Sequence, residues 1–129
     1  MTPKKTYPGY YSIIRYIHEV EHGEFVNIGV ILFCAETNSV QFHITTNYKR
    51  AIRFFSKEQG WSLDRFKMTL EAMNNRLTIE VKDHGKDFCN LIKFMQTRAN
   101  QIEFSDLRGV VISDDIINEM GRIFIRTVT

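Results

Sequence analysis

The sequence predicts an α+β fold: a mostly antiparallel sheet, opening as a three-strand meander and completed by later strands, with helices packed on one face. Three observations lead there. Three strand-like segments follow one another with only short polar breaks, which favours antiparallel pairing. The apolar period then changes from two to between three and four residues. A late pair of strand-like segments precedes a closing helix. Strands grouped apart from helices argue α+β rather than a parallel α/β sheet.

The elements follow in order. The polar lead-in 1–9 ends at the turn signal Pro8-Gly9. "YYSIIRYIHEV" is rich in aromatic and β-branched residues and reads as the first strand, and "EHGE" supplies a turn. "EFVNIGVILF" reads as the second. "AETNSV" breaks the chain with Asn38-Ser39 at its tip, and "VQFHITT" alternates as the third, with Val40, Phe42 and Ile44 on one face. "NYKRAIRFF" places Tyr48, Ala51, Ile52 and Phe55 at helical spacing until Gly60. Ser62 is an N-cap candidate with Asp64 in the first turn, before Leu63, Phe66, Leu70, Met73 and Leu77. "IEVKDHG" fits either element, and Thr78, Ile79 and Val81 could make a short strand after that helix. Phe88, Leu91, Ile92 and Met95 mark another helix. Ile102 to Phe104 and Val110 to Ile112 return to strand chemistry. Ser113, Asp114 and Asp115 open a last helix with Ile116, Ile117, Met120, Ile123 and Phe124 facing inward. There is no internal repeat, low-complexity segment or linker, so 1–129 reads as a single domain.

Composition bounds the function. Apolar residues make up 43% and charged residues 25%, the balance of an ordinary globular chain. The two cysteines, Cys34 and Cys89, read as buried free thiols in a reducing compartment, too few for a zinc site. No signal-peptide pattern or bilayer-length apolar run is seen, so cytoplasm is the expected location. Net charge is +2, and the excess lies before Gly60, where seven basic residues face five acidic ones. That balance does not by itself announce nucleic-acid binding. His18, His22, His43 and His84 do not fall at metal spacing, and a cation among His18, His22, Glu19, Glu21 and Glu24 needs a fortunate bend. No nucleophile elbow, P-loop, zinc-protease helix or dinucleotide fingerprint is present, so neither an enzyme nor a cofactor is expected.

The second strand raises a question of its own. Asn27 and Gly29 are both depleted from strands, yet they sit in its middle. Strict alternation puts Phe25, Asn27, Gly29, Ile31 and Phe33 on one face, and Val26, Ile28, Val30, Leu32 and Cys34 on an apolar other. Such a glycine marks a bulge or the close approach of another chain. One reading is that Gly29 makes room for a helix and Asn27 bonds a nearby loop. The functional reading is a docking groove with Glu24 at its rim. On that reading Gly29→Val or Asn27→Leu abolishes binding and spares the fold. Arg15 is expected to pair with Glu24 across the first hairpin. Arg98 and Arg108 flank "NQIEFSD" as candidates for an anion site, although loop arginines are ordinarily solvated. Lys49, Arg50 and Arg53 share one side of a short helix, with Tyr48 near and Phe54 open to solvent, a pattern that suits single-stranded nucleic acid.

"YSIIRYI", "GEFVNIGVILFC" and, nearer the C-terminus, "TRANQIEFSDLRGVVISD" with a closing helix ending "IRTV" resemble the domain of unknown function 3037 family. The resemblance runs from Tyr11 to about Val128, is most specific at Glu24 to Val30, and carries no motif in 47–93. It implies a small bacterial or phage protein without assigned activity. Members are often encoded beside kinase-like proteins resembling the HipA toxin. A protein partner is therefore expected, such as a HipA-like kinase or a defence-system protein.

Two functions follow. The first is a non-enzymatic protein-binding module, an accessory or inhibitor in a toxin–antitoxin, phage-defence or counter-defence setting. Its partner-binding candidates are Glu24, Asn27, Gly29, Arg15, Arg98 and Arg108. The alternative is a binder of single-stranded nucleic acid or a ribonucleoprotein through helix 47–55, using Tyr48, Lys49, Arg50 and Arg53. A catalytic site would require Arg15, Glu24, Arg98 and Arg108 to converge. An open sheet edge also allows a homodimer.

Overall fold

The computed structural model describes residues 6–18, 24–84, 87–96, 101–113 and 115–129. Strands β1 (Tyr7–Ile17), β2 (Phe25–Cys34) and β3 (Ser39–Ile44) come first. Helices α1 (Lys49–Phe55), α2 (Leu63–His84) and α3 (Phe88–Gln96) follow, then β4 (Ile102–Phe104), β5 (Arg108–Ile112) and α4 (Ile116–Thr127). The fold is α+β with an antiparallel sheet in the order β3-β2-β1-β4, and β5 also pairs with β1.

β1 holds the sheet together. It pairs with β2 along one side, and the other side is shared by β5, opposite Tyr7 to Tyr11, and β4, opposite Ile14 to Tyr16. The expected turn at Pro8-Gly9 is instead strand, paired to Val111 and Val110. A partner about a hundred residues away in sequence overrides the local turn signal. Between β4 and β5 the ladder breaks, and Ser105 covers the gap. Its hydroxyl accepts from the Ile13 N–H at 2.8 Å, its N–H donates to the Ile13 carbonyl, and its carbonyl accepts from the fully buried Ser12 hydroxyl at 2.7 Å.

The β1–β2 register explains Gly29. Ile14 lies opposite Gly29 but Arg15 lies opposite Asn27, so Ile28 has no partner on β1. This is a β-bulge, and it exchanges the two faces of the strand. Val26 and Ile28 before it, and Ile31 and Phe33 after it, all join one core. Val30, Leu32 and Cys34 join the other. The expected uninterrupted apolar face from Val26 to Cys34 is thus divided between two layers. A Cβ on Gly29 would lie 2.6 Å from the His43 carbonyl oxygen of β3, inside contact distance of backbone that has no freedom to retreat. The room Gly29 makes is for a strand, not a helix.

The first core lies between the sheet and α1, α2 and α3. Phe66 and Leu77 of α2, Phe55 of α1 and Leu91 of α3 are fully buried against Ile14, Tyr16 and Ile28. Tyr16 meets Phe66 edge-on at 4.7 Å and Phe55 at 5.6 Å, geometries that add to area burial. Tyr48 and Trp61 close the cluster around Phe66. Ser62 caps α2 through the Arg65 N–H at 3.4 Å. α2 runs to His84, so Thr78, Ile79 and Val81 are helical. Leu77 continues the buried stripe of Phe66, Leu70 and Met73, and tertiary packing outweighs the β-branched side chains after it. Ile52 and Ile117, both expected inward, are 37% and 61% exposed. In α1 only Ala51 and Phe55 are buried. In α4 the packed stripe is Ile116, Met120, Ile123 and Phe124, with Ile117 a step of about 100° away.

The second core lies on the opposite face, where α4 packs over β2 and β3. Ile123 is buried with Tyr11, Ile13, Val30, Leu32 and Ile112. Three helices therefore cover one face of the sheet and the fourth covers the other. Asp115 caps α4 by accepting from the Asn118 N–H at 2.7 Å. Cys34 is buried here, whereas Cys89, expected buried, is exposed. Among the described residues no helix is long and apolar enough to cross a membrane.

Two predictions follow from this packing. Gly29→Ala is expected to lose roughly 1–3 kcal/mol through overpacking against backbone. Gly109→Ala, where a Cβ meets nothing within 4 Å, is expected to stay within about 0.5 kcal/mol of the parent. Urea titration of both reads the difference. The Tyr16 phenol is held above its ordinary range by burial, a shift partly offset by its hydrogen bond to Gln101. A raised phenol pKa stabilises the fold fully below the unfolded value, and that contribution is lost as pH rises past about 10. Stability is therefore expected to fall less steeply above pH ~10 in Tyr16→Phe than in the parent, as measured by denaturation across alkaline pH.

Candidate docking surfaces

Asn27 sits on the α4 side of β2, just before the bulge. Its side-chain amide donates to the Thr127 carbonyl at the C-terminal end of α4, at 3.0 Å. Arg50 of α1 reaches the next carbonyl, Val128, through Nη1 at 2.9 Å. The last carbonyls of a helix have no intrahelical partner and carry its negative pole. An amide from the sheet and a guanidinium from the helix layer opposite α4 thus hold the same helix end. The Asn27 Oδ1 atom is buried with no hydrogen-bond partner. It borders a cavity of about 20 Å³ that Arg50 and Val128 also line, space for about one water molecule.

The groove read from the sequence is therefore filled by the chain itself: α4 covers the face to which Asn27 points. Gly29→Val loses its value as a probe of binding, because the added side chain collides with β3 backbone. Glu24 is exposed just ahead of β2. Arg15 forms no ion pair with it. The guanidinium lies 4.6 Å over the Phe25 ring, a cation–π contact, and its Nε is buried without a hydrogen-bond partner. Arg108 is exposed at the start of β5 rather than on a loop, and it pairs with Tyr11. Arg15 and Arg108 therefore sit four β1 positions apart, about 13 Å along the strand. The two do not share a pocket. Arg98 lies outside the described residues, as do Glu19, Glu21 and His22.

The α1 candidates are placed as the periodicity suggests. Lys49, Arg50 and Arg53 are exposed, Phe54 is 49% exposed, and Ala51 and Phe55 point inward. Tyr48 differs. It is half-buried on Phe66 with the Lys67 ammonium 5.3 Å over its ring.

One feature escaped the sequence. A cleft of about 510 Å³ opens between α3 and the β4–β5 edge, with Ile92, Met95, Phe104 and Leu107 as apolar lining and Glu103 and Asp106 at hand. Tyr10 and Val111, on the helix-layer face of the sheet, are 53% and 63% exposed. Each residue looks ordinary alone, and only the break between two short strands gathers them. Among the described residues no three His, Cys, Asp or Glu side chains gather as metal ligands.

The sequence profile of a family described as "Protein of unknown function (DUF3037)" matches residues 11–128. The chain belongs to this family. No curated protein and no solved structure matches it. The matched span of this DUF3037 chain takes in the bulge, the helix-end clamp and the cleft together.

A double-mutant cycle tests the clamp. Asn27→Ala and Arg50→Ala are each expected to cost about 1 kcal/mol. Because both hold one helix end, their combined effect is expected to depart from additivity by at least ~0.5 kcal/mol. Chemical denaturation measures the cycle.

Proposed function

We propose that this DUF3037 chain is a non-enzymatic protein-binding module that takes an extended segment of a partner along the β4–β5 edge. The observation that carries the reading is the coincidence of an open edge with an apolar cleft. Among the described residues β4 and β5 pair with β1 alone, so no strand of the sheet flanks their outer side. Strand addition draws affinity from main-chain hydrogen bonds and specificity from pockets that receive alternate side chains. The cleft beside β4 is such a pocket, with Leu107 of its lining exposed and Val111 of β5 exposed on the same strand pair's edge. Residues of this size exposed together mark interaction surfaces more often than isolated ones do. The family resemblance adds a kinase-like or defence-system protein as the class of partner to look for first.

The test is affinity capture from the native host with the full chain as bait, after nuclease digestion. A Leu107→Lys/Val111→Lys variant places charge on the surface without touching either core. The parent is expected to retain one stoichiometric protein and the variant to lose at least about 90% of it, roughly a tenfold weakening. A partner held equally by both baits refutes the edge as the docking surface.

A further inference from the structure

The geometry points to a second site: the outer arc of α1 binds single-stranded nucleic acid, with phosphates on Lys49 and Arg53 and a base stacked on Phe54. At about 100° per residue, Lys49, Arg53, Arg50 and Phe54 fall in that order across an arc of roughly 140°. All four are exposed, whereas Ala51 and Phe55 anchor the helix from the opposite side. α1 carries no acidic residue to neutralise the arc. A cleft of about 390 Å³ lies beside the cationic part of the arc, lined by Lys49, Arg50 and Arg53 together with Thr45, Asn47, Val128 and Thr129. Cations, a hydroxyl and an amide are the groups that contact a sugar–phosphate backbone.

Preorganisation separates this arc from an ordinary solvated helix face. Arg50 is fixed by its bond to the Val128 carbonyl. One of its five N–H groups is used, and the guanidinium stays on the cleft wall with donors to spare. The Asn47 Oδ1 atom accepts from the Lys49 N–H at 3.1 Å and sets the entry to the helix. Phe54 packs edge-on against the buried Phe55 at 5.0 Å, so its ring is braced while half its surface faces water. A braced aromatic next to cations is a stacking platform, and a single strand, unlike a duplex, presents base faces to it. Tyr48, engaged on Phe66, is not part of the platform.

The experiment is fluorescence anisotropy of a labelled oligothymidylate of about twelve nucleotides with the full chain. Two or three phosphate contacts give a slope of log K on log salt of roughly −1.4 to −2.1. Lys49→Glu/Arg53→Glu is expected to weaken binding at least ~10-fold and to flatten that slope. Phe54→Ala is expected to weaken it about 10-fold with the slope unchanged, because stacking carries no counterion term. Thermal melts confirm that both variants fold. The site is refuted by absence of binding at about 50 mM salt, or by affinity that Lys49→Glu/Arg53→Glu leaves intact. It is equally refuted if a duplex binds as tightly as the single strand, or if thymidine monophosphate competes as well per molecule as the oligonucleotide. Those last results describe a phosphate site, not a strand site.

Discussion

The bulge at Ile28 and Gly29 is the constraint on which the rest of the structure depends. A strand with strict alternation feeds one core with every second residue. By inserting Ile28 without a partner on β1, β2 sends Val26, Ile28, Ile31 and Phe33 to the helix layer and Val30, Leu32 and Cys34 to α4. The same shift turns Asn27 toward the end of α4. Gly29 permits the arrangement because β3 passes where a side chain would stand. The polar and bare positions inside an apolar strand are therefore requirements of the local geometry.

α4 depends on that geometry in turn. It is an amphipathic helix whose apolar stripe meets the β2–β3 surface, with Phe124 edge-on to His43 at 4.6 Å. Its N-terminal end is capped from within by Asp115. Its C-terminal end is held from outside, by Asn27 of the sheet and Arg50 of the opposite helix layer. A residue of the basic arc is thus also a fastening between layers. That double role is why the arc has a fixed shape.

Much of the fold was legible in the sequence. The order of strands and helices, the meander, the caps at Ser62 and Asp115, the turn at Asn38 with its left-handed backbone, and the break at Gly60 all follow from local chemistry. What failed depends on partners far along the chain. Pro8-Gly9 became strand because β5 pairs with it, and Thr78 to Val81 stayed helical because Leu77 was already committed to the core. The exchange of faces at Ile28 was invisible to a period-two reading, although Gly29 signalled a bulge. For the sites, the exposed side of α1 was legible because a short helix needs only its own period. The cleft at β4 was not, because it arises from a gap between two strands that share one neighbour.

That gap has a further consequence, for solubility. A continuous open edge as long as β1 would offer identical chains a template for end-to-end polymerisation. Here the edge consists of three residues and then five, with Ser105 turned inward to serve Ser12 and Ile13. Sheet growth from one molecule to the next would stall where the register is interrupted. The break leaves this side of the sheet open while offering no long uninterrupted template to another copy of the chain.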